Sequence, residues 1–555
     1  MNEAGKLTRA AGVVGSFTLL SRVAGLLRDM VVGYLFGSQG AADAFFVAFR
    51  IPNLLRRLTA EGALTVAFVP VFTSYLAQKG KHEAAHVARI VFTFVALFLG
   101  FLTFLGIVLA DPLTRVFAPG FLADQEKFAL TVFLTRLMFP YIFFISLVAL
   151  AMGVLNTLRH FMAPALSPVL FNLCIVACAL LLSPVLDQPI ASLAYGVLAG
   201  GIAQLVLQLP YLSRLGISPG FNLNFRHPAL GRLLFLMGPA VFGAAVYQIN
   251  VLVSTMLASL LPHGSVSYLY YADRLLEFPI GVFAIALGTA ALPSFAALVA
   301  TKNMEELRAT LAYSLRLVNF ISLPATFGLI AVAVPVFAVF FQRGAFNADT
   351  TVNTAQALVC YAVGLWGISG TKLVAPVFYA LEDTKTPVWI AFWSFVLNLF
   401  VSLMLMGDVL PGNDSSSPIT AFIAGLTGQL SVFALGHAGL ALATSISSTF
   451  NFLTLLFILH RRIEGLPLRE ILASFGRNLL SSMFVGLLLL WIVRRVDWIG
   501  SGRSIFLLGG ILIVLIVLGV ATYVALSFFL RSPDWPLIRD LGTAVTRRRR
   551  SDGNF

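Results

Sequence analysis

The chain has 555 residues, of which 59% are hydrophobic and only 11% are charged, and its mean hydropathy is +0.92. A soluble domain carries about twice that share of charged residues, so the composition excludes a soluble protein. The net charge of +13 does not require a nucleic-acid partner, because the topology of a membrane protein accounts for most of it.

Apolar runs as long as a membrane-crossing helix follow one another along the chain. A bilayer core needs about 20 apolar residues per helix, and these runs are too continuous for the alternating strands of an outer-membrane barrel. The sequence therefore predicts an all-α polytopic membrane protein with about 14 transmembrane helices. The predicted spans cover residues 10–35, 42–75, 88–110, 129–155, 164–183, 191–212, 233–260, 266–298, 312–341, 354–380, 387–406, 421–459, 479–493 and 505–530.

The first two predicted spans carry an unusual amount of charge for a membrane segment. Their basic side chains outnumber their acidic ones: Arg22, Arg28, Arg50, Arg56 and Arg57 against Asp29, Asp43 and Glu61. An isolated cation in hydrocarbon costs at least ~2.5 kcal/mol, so these side chains are expected to face protein or a water-filled cavity. Two explanations stay open. Either the charges pair and fasten span 1 to span 2, or the surplus arginines bind an anion.

Helical spacing indicates which of these charges share a face. Arg22 and Asp29 are seven residues apart, and so are Asp43 and Arg50, so each pair lies on one face of its helix. A planar guanidinium group can form two hydrogen bonds to one phosphate, which makes arginine better suited than lysine to that ligand. The surplus of arginine therefore favours a phosphate-containing ligand.

Short motifs recur along the chain with an offset of about 223 to 226 residues. GALTVAFVPVF (62–72) is matched by IALGTAALPSF (285–295), and VFAPGF (116–121) is matched by VFFQRGAF (339–346). The pattern predicts two homologous six-helix lobes, 1–220 and 221–465, which are related by an axis along the membrane normal and enclose a central cavity. Spans 13 and 14, within 466–530, fall outside the duplication, and 531–555 form a basic tail.

Arg274 is the counterpart of Arg50 in the second predicted lobe, within the motif YYADRLLEFP. Its neighbours Asp273 and Glu277 allow a local salt bridge, and that interpretation stays open. If Arg274 instead faces the cavity, both lobes bind the same anion.

Lysine and arginine outside the spans indicate the orientation, because they accumulate on the cytoplasmic side. If both termini are cytoplasmic, the opposite side holds only a small minority of them: Arg115, Lys127, Arg343, Arg494, Arg495 and Arg503. The sequence thus predicts a multi-pass inner-membrane protein with both termini in the cytoplasm.

No catalytic signature competes with a transport function. The chain has no HExxH, no GxSxG, no glycine-rich phosphate loop and no metal-binding pattern of cysteines. We therefore expect a protein that is not an enzyme and that needs no metal or cofactor.

Several segments resemble one family. TLLSRVAGLLRDMVVGYLFG (18–37) and ADAFFVAFRIPNLLRRLTAEGALTVAFVPVF (42–72) are similar to the N-terminal signature of the MurJ (MviN) lipid II flippases. FQRGAF and APVFYALEDTKTP (375–387) match later blocks of the same family. The family belongs to the multidrug/oligosaccharidyl-lipid/polysaccharide exporter superfamily, and the resemblance covers essentially the whole chain.

The resemblance implies a twelve-helix core, two C-terminal helices that border a lipid-facing groove, and transport of lipid II to the periplasmic leaflet. It implies that the substrate is bound by Arg22, Arg28, Arg50, Asn53, Arg56 and Arg274, with Asp43 as an acidic partner. We expect the neighbouring acids to support them: Asp29, Glu61, Asp273 and Glu277. Membrane lipids are expected partners, and contacts with the cell-wall synthesis machinery are compatible with the resemblance.

Some members of the family are described with a sodium site made of acidic and amide side chains. The matching positions here contain no carboxylate: Asn250, Asn398, Ser402 and Thr444. This departure counts against sodium coupling and leaves the membrane potential or another ion as the driving force. The alternative function is a flippase or exporter of another polyprenyl-linked glycan or of a drug. A cationic drug would require a negatively charged cavity, whereas the spans here carry a positive surplus.

Overall fold

The computed structural model describes residues 3–58, 64–217, 220–409, 418–500 and 504–530, and the named elements in these ranges are all helical, as predicted. A π-helical turn, Ile280–Ala284, joins α10 to α11. The helices are α1 (Glu3–Phe36), α2 (Gly40–Arg56), α3 (Thr65–Val108), α4 (Ala110–Phe117), α5 (Gln125–Met138), α6 (Tyr141–Thr157), α7 (Met162–Leu182), α8 (Ala191–Arg214), α9 (Pro228–Ser259), α10 (Ser265–Pro279), α11 (Ile285–Ala300), α12 (Met304–Phe340), α13 (Ala348–Val363), α14 (Leu365–Ala380), α15 (Lys385–Leu405), α16 (Pro418–Leu430), α17 (His437–Arg462), α18 (Leu468–Val493) and α19 (Ile505–Phe529).

The apolar composition explains why these segments are helices. A helix satisfies its backbone hydrogen bonds internally, as hydrocarbon requires. The 25 residues of α19 are mostly Ile, Leu, Val and Phe. At 1.5 Å per residue such a helix is ~37 Å long, enough to cross a core of about 30 Å. Its exposed side chains, such as Ile513, Val517 and Val520, are apolar and therefore suit a lipid environment.

Length and composition identify which helices of the described residues could cross a membrane. Ten helical stretches are long and apolar enough, with α5–α6 and α10–α11 each counted as one, or eleven if the bent pair α13 and α14 forms one span. The predicted count of fourteen is therefore not confirmed. Helix α3 is counted once, although its 44 residues contain parts of predicted spans 2 and 3 and consist of two helices joined at a kink. It bends at Gly80, where φ is 81°, a conformation that favours glycine.

The chain divides into two compact units. The first contains Met1–Ser267, Arg343–Phe346 and Val409–Gly425, and the second contains Tyr268–Gln342, Asn347–Asp408 and Leu426–Phe555. Helix α9 therefore belongs to the first unit, and helices α18 and α19 belong to the second. The predicted boundary at residue 220 and the predicted superposition of two six-helix lobes stay predictions.

Close helix packing in the first unit depends on small residues. Helix α7 packs along α8 and α1, and α3 packs against α6 and α9. A Cβ atom on Gly196 of α8 would lie 2.7 Å from the Cα atom of Ile175, and one on Gly200 would lie 2.7 Å from the Phe171 ring. Helices in lipid associate mainly through such close contacts, because the hydrophobic effect does not draw them together.

Glycine residues also allow close helix packing in the second unit, between α14 and α17. Cβ atoms on Gly364 and Gly367 would each lie 2.6 Å from a Cα atom of α17, those of Ser445 and Thr449. The backbones of α14 and α17 can approach this closely only because both positions are glycine.

The two C-terminal helices are attached to the second unit through α12. Helix α18 lies along α12, and α19 packs on both. The Tyr523 hydroxyl of α19 lies 3.0 Å from the backbone oxygen of Phe320 in α12 and 3.1 Å from Oδ1 of Asn478 in α18. One buried hydroxyl thus connects all three helices.

Candidate functional site

The charged residues of α1 differ in their surroundings. Arg28 is buried, and its Nε and Nη2 atoms donate to Oδ1 of Asp29 at 3.0 and 2.7 Å. Arg22 is half-buried. Asp29 is thus bound by its neighbour Arg28, whereas the seven-residue spacing had suggested Arg22. Glu61, which the sequence placed in the same cluster, lies outside the described residues.

Helix α2 carries three arginines near its C-terminal end. Nη1 of Arg50 donates to Oγ1 of Thr255 on α9 at 2.6 Å, and Nε of Arg56 donates to Oδ1 of Asn53 at 2.9 Å. Arg57 follows directly, and all three arginines are half-buried. The Thr255 hydroxyl and the Asn53 amide are neutral acceptors, which orient a guanidinium group and leave its charge in place.

Asp43, near the start of α2, is fully engaged inside the first unit. It is 1% exposed. Its Oδ2 atom accepts hydrogen bonds from Nζ of Lys127 at 3.0 Å and from the backbone N of Gly264 at 2.7 Å. Its Oδ1 atom accepts them from N and Oγ of Ser267 at 2.9 and 2.6 Å. The carboxylate therefore binds Lys127 and the hydrogen-bond donors at the start of α10 rather than the neighbouring arginines.

Lys127 belongs to this cluster although the sequence pattern did not predict it. The charge count assigned it to a loop on the outer side, but it lies in α5 and is 7% exposed. Its ammonium nitrogen also lies 3.2 Å from Nδ1 of His263 and 4.0 Å from the centre of the Phe121 ring. Lys127 and Asp43 are 84 positions apart, so no local spacing connects them. The sequence signal that could have indicated its burial is its position two residues before predicted span 4, which begins at residue 129.

Arg274, in the second unit, forms the local salt bridge that the sequence left open. Its Nη1 atom donates to Oε2 of Glu277 at 2.8 Å, and its guanidinium carbon lies 5.1 Å from the centre of the Tyr270 ring. Asp273 and Glu277 are both exposed. Because Arg274 belongs to a different compact unit from the arginines of α1 and α2, a cavity shared by all of them stays a prediction.

The positions that match a sodium site in some relatives hold neutral groups. Nδ2 of Asn398 donates to Oγ1 of Thr444 at 3.3 Å and to Oγ of Ser447 at 3.1 Å. Oδ1 of Asn250, in the first unit, is buried without a hydrogen-bond partner among the described residues. A hard cation prefers several oxygen ligands that include carboxylates. That these neutral positions do not support sodium binding stays a prediction.

Comparison with known sequences identifies one family. The family model described as lipid II flippase MurJ matches residues 32–410. The chain is 38% identical over 498 residues to the lipid II flippase MurJ of Burkholderia cenocepacia, a match that covers 89% of this chain and 92% of that protein. It is 34% identical over 536 residues to the probable lipid II flippase MurJ of Vibrio cholerae, which covers 95% of this chain and 96% of that protein.

Comparison with solved structures agrees. The fold is similar to that of a lipid II flippase MurJ in an inward closed conformation, with a TM-score of 0.74 and 26% identity over 93% of this chain and 98% of that chain. It is also similar to an inward-facing multidrug resistance MATE family transporter of the MOP superfamily, with a TM-score of 0.65 over 82% of this chain and 98% of that chain. The identity to the second structure is 15%, so that likeness concerns the fold alone.

Proposed function

This chain belongs to the MurJ lipid II flippase family, and from that premise we propose that it moves lipid II from the cytoplasmic to the periplasmic leaflet of the inner membrane. The diphosphate that links the prenyl tail to the sugar is the charged part of the cargo. We assign its binding to the arginines of α1 and α2 together with Asn53 and Arg274.

The observation that carries this proposal is the balance of charge in α1 and α2. This segment contains Asp29, Asp43 and Glu61 against Arg22, Arg28, Arg50, Arg56 and Arg57, and Asp43 is bound to Lys127 and to the start of α10. The cation surplus is therefore larger than the sequence alone indicates. A diphosphate supplies the anionic charge that the protein lacks here, and each guanidinium group can bind it through two parallel hydrogen bonds.

Alternating access lets this charge cross the membrane. Burying an ionised phosphate in hydrocarbon without partners costs far more than one contact returns, so the headgroup needs a polar route. Two lobes that rock around a site near the midplane would expose that site first to the cytoplasm and then to the periplasm. The prenyl tail stays in lipid beside α18 and α19 while the headgroup travels.

The membrane potential can drive this cycle without a coupling ion. Moving one elementary charge through the membrane potential is worth about 2.3 kcal/mol for each 100 mV. An anion that leaves a negatively charged cytoplasm moves in the favourable direction, so outward movement of a diphosphate gains energy. The neutral residues around Asn398 agree with a cycle that does not depend on sodium.

Two alternative cargoes use different chemistry. A cationic drug does not match a segment with a surplus of arginine. Another polyprenyl-linked glycan matches it as well as lipid II does, because the prenyl diphosphate is the same. The glycan is therefore identified by the lipid that stays on the cytoplasmic side when the protein is depleted.

The test is depletion of the protein in its host, followed by a leaflet-specific assay of lipid II, with variants supplied as the only copy. We expect Arg28→Ala and Arg56→Ala to abolish translocation. Arg28→Lys and Arg56→Lys should impair it, because lysine keeps the charge but cannot form two parallel hydrogen bonds to one phosphate. Arg115→Ala is the matched control, since Arg115 is exposed and paired with Asp111. Normal translocation by a stably inserted Arg28→Ala, Arg56→Ala double variant would refute the proposal.

A further inference from the structure

Helix α18 ends in two arginines on the side of the membrane where the chain carries few cations. In the predicted orientation this end is periplasmic, where the positive-inside rule disfavours Lys and Arg. Arg494 and Arg495 are exposed, and neither forms an ion pair with any residue that the structure describes. The nearby Asp497 carboxylate instead accepts the backbone N–H groups of Ile499 and Gly500. The two guanidinium charges are thus available to an external anion.

An apolar stripe leads along α18 to these arginines. Leu480, Phe484, Leu487 and Trp491 have between 55% and 65% of their surface exposed and follow one another at intervals of three or four residues, so they share one face. Arg495 continues this face, and its guanidinium carbon lies 5.0 Å from the centre of the Trp491 ring. With a rise of 1.5 Å per residue, the stripe is ~16 Å long, about half of a bilayer core of ~30 Å.

We propose that the stripe and the two arginines form a second lipid subsite, which holds the prenyl diphosphate after it has reached the periplasmic leaflet. The length of the stripe matches the tail region of one leaflet, and the arginines lie where the headgroup of a lipid in that leaflet begins. The identity of the lipid rests on the proposed function. The subsite itself lies entirely within the second unit.

The paired arginines are what select the ligand. An apolar face alone accepts the acyl chains of any lipid. Arg494 and Arg495 follow one another in the chain, and their two guanidinium groups together offer more paired donors than one phosphate accepts. A diphosphate supplies two phosphates, whereas an ordinary phospholipid supplies one. A cation above an indole ring is attracted to the ring, so the guanidinium group of Arg495 is held beside Trp491 at the end of the stripe.

The position of these residues at a helix end provides a competing explanation. Arg494 is the C-cap residue of α18, and a cation at a helix C-terminus is favourable in its own right. That effect depends on charge alone, so lysine would serve it equally well. A diphosphate subsite depends on the paired hydrogen bonds of a guanidinium group, so replacing arginine by lysine should weaken it.

Photo-crosslinking in nanodiscs tests the subsite. The full-length protein carries benzoylphenylalanine in place of Leu487, and the probe is labelled undecaprenyl diphosphate in a fixed mixture of phosphatidylethanolamine and phosphatidylglycerol. We expect Arg494→Gln, Arg495→Gln to lower the crosslinking yield about tenfold and Arg494→Lys, Arg495→Lys to lower it about threefold. Arg115→Gln, which changes a paired cation assigned to the same side, should leave the yield unchanged.

Three results would overturn the subsite. These are a glutamine double variant within twofold of the parent, a lysine double variant equal to the parent, and displacement of the probe by phosphatidylglycerol as effective as by unlabelled undecaprenyl diphosphate. If the glutamine double variant does not fold, the lysine variant decides, because it keeps the charge at the helix end. Binding is measured here without transport. If the parent protein flips lipid II but both double variants crosslink as the parent does, only the subsite is refuted. If the parent protein does not flip lipid II, the proposed function is refuted.

Discussion

Replacing Asp43 by asparagine measures how much the first unit depends on its buried carboxylate. The substitution keeps the volume of the side chain, removes its charge and exchanges one oxygen for an NH2 group. In one orientation this NH2 group would face the donors of Lys127 and Gly264, and in the other it would face those of Ser267. Both orientations place a donor against a donor, so the amide cannot reproduce the four hydrogen bonds of the carboxylate.

The magnitude follows from burial. Removing one partner of a buried ion pair costs about 3–5 kcal/mol, because the remaining charge is left without compensation. Among the residues that the structure describes, the Lys127 ammonium group would then keep its contacts with His263 and Phe121 alone. The Arg115–Asp111 pair is the opposite case, since its side chains are 55% and 39% exposed, and such a pair contributes about 0–1 kcal/mol. Asp111→Asn therefore makes the same chemical change in the same unit at an exposed pair.

The assay is thermal unfolding of the purified full-length protein in detergent. We expect Asp43→Asn and Lys127→Met each to lower the unfolding midpoint far more than Asp111→Asn does. The double variant Asp43→Asn, Lys127→Met should be at least as stable as the less stable of the two single variants, because no buried charge is then left without a partner. Equal midpoints for Asp43→Asn and Asp111→Asn, or fully additive losses in the double variant, would refute the buried pair as the source of stability.

Three further substitutions test other parts of the structure. Tyr523→Phe removes the hydroxyl that joins three helices and should cost about 0.5–1.5 kcal/mol in thermal unfolding while lipid II translocation persists; abolished translocation would contradict this. Gly367→Leu should prevent the close crossing of α14 and α17, so the protein should not be recovered as a monodisperse species, and normal yield would contradict the packing. The pKa of Asp383 is lowered to about 2, first by hydrogen bonds from Thr386 and then by Arg462. Its stabilising effect should therefore be complete above about pH 4 and disappear as the pH falls through 2, and Asp383→Asn should remove that acid transition from unfolding curves.

The positions of the helices follow from the sequence because apolar length is a local property. Predicted span 13 lies within α18, predicted span 14 agrees with α19 to within one residue, and the end of α1 at Phe36 agrees with the end of predicted span 1 at residue 35. The boundary between predicted spans 2 and 3 also follows from local sequence. Hydropathy separates these spans at the charged segment around Lys79 and Lys81, and the two helices joined within α3 meet at a kink in the same segment, at Gly80.

The partners of the charged residues could not be predicted, because they are distant in sequence. Helical spacing states which residues share a face, but it does not state which other helix lies against that face. Asp43 and Arg50 are seven residues apart, yet Asp43 binds Lys127 and Ser267, which are 84 and 224 positions away, and Arg50 binds Thr255, which is 205 positions away. The surplus of arginine is visible in the local sequence, whereas the lysine that enlarges it is distant in the chain.

The chemistry of lysine and arginine explains why these cations have different roles. The ammonium group of Lys127 is a compact point charge, and one carboxylate, one imidazole nitrogen and one aromatic ring enclose it. The guanidinium group of Arg50 has five donors in one plane, and Thr255 accepts from one of them. A neutral hydroxyl orients this group without cancelling its charge, so Arg50 is positioned and can still bind an anion. Because Asp43 binds Lys127, this carboxylate does not compete with a diphosphate for the α2 arginines.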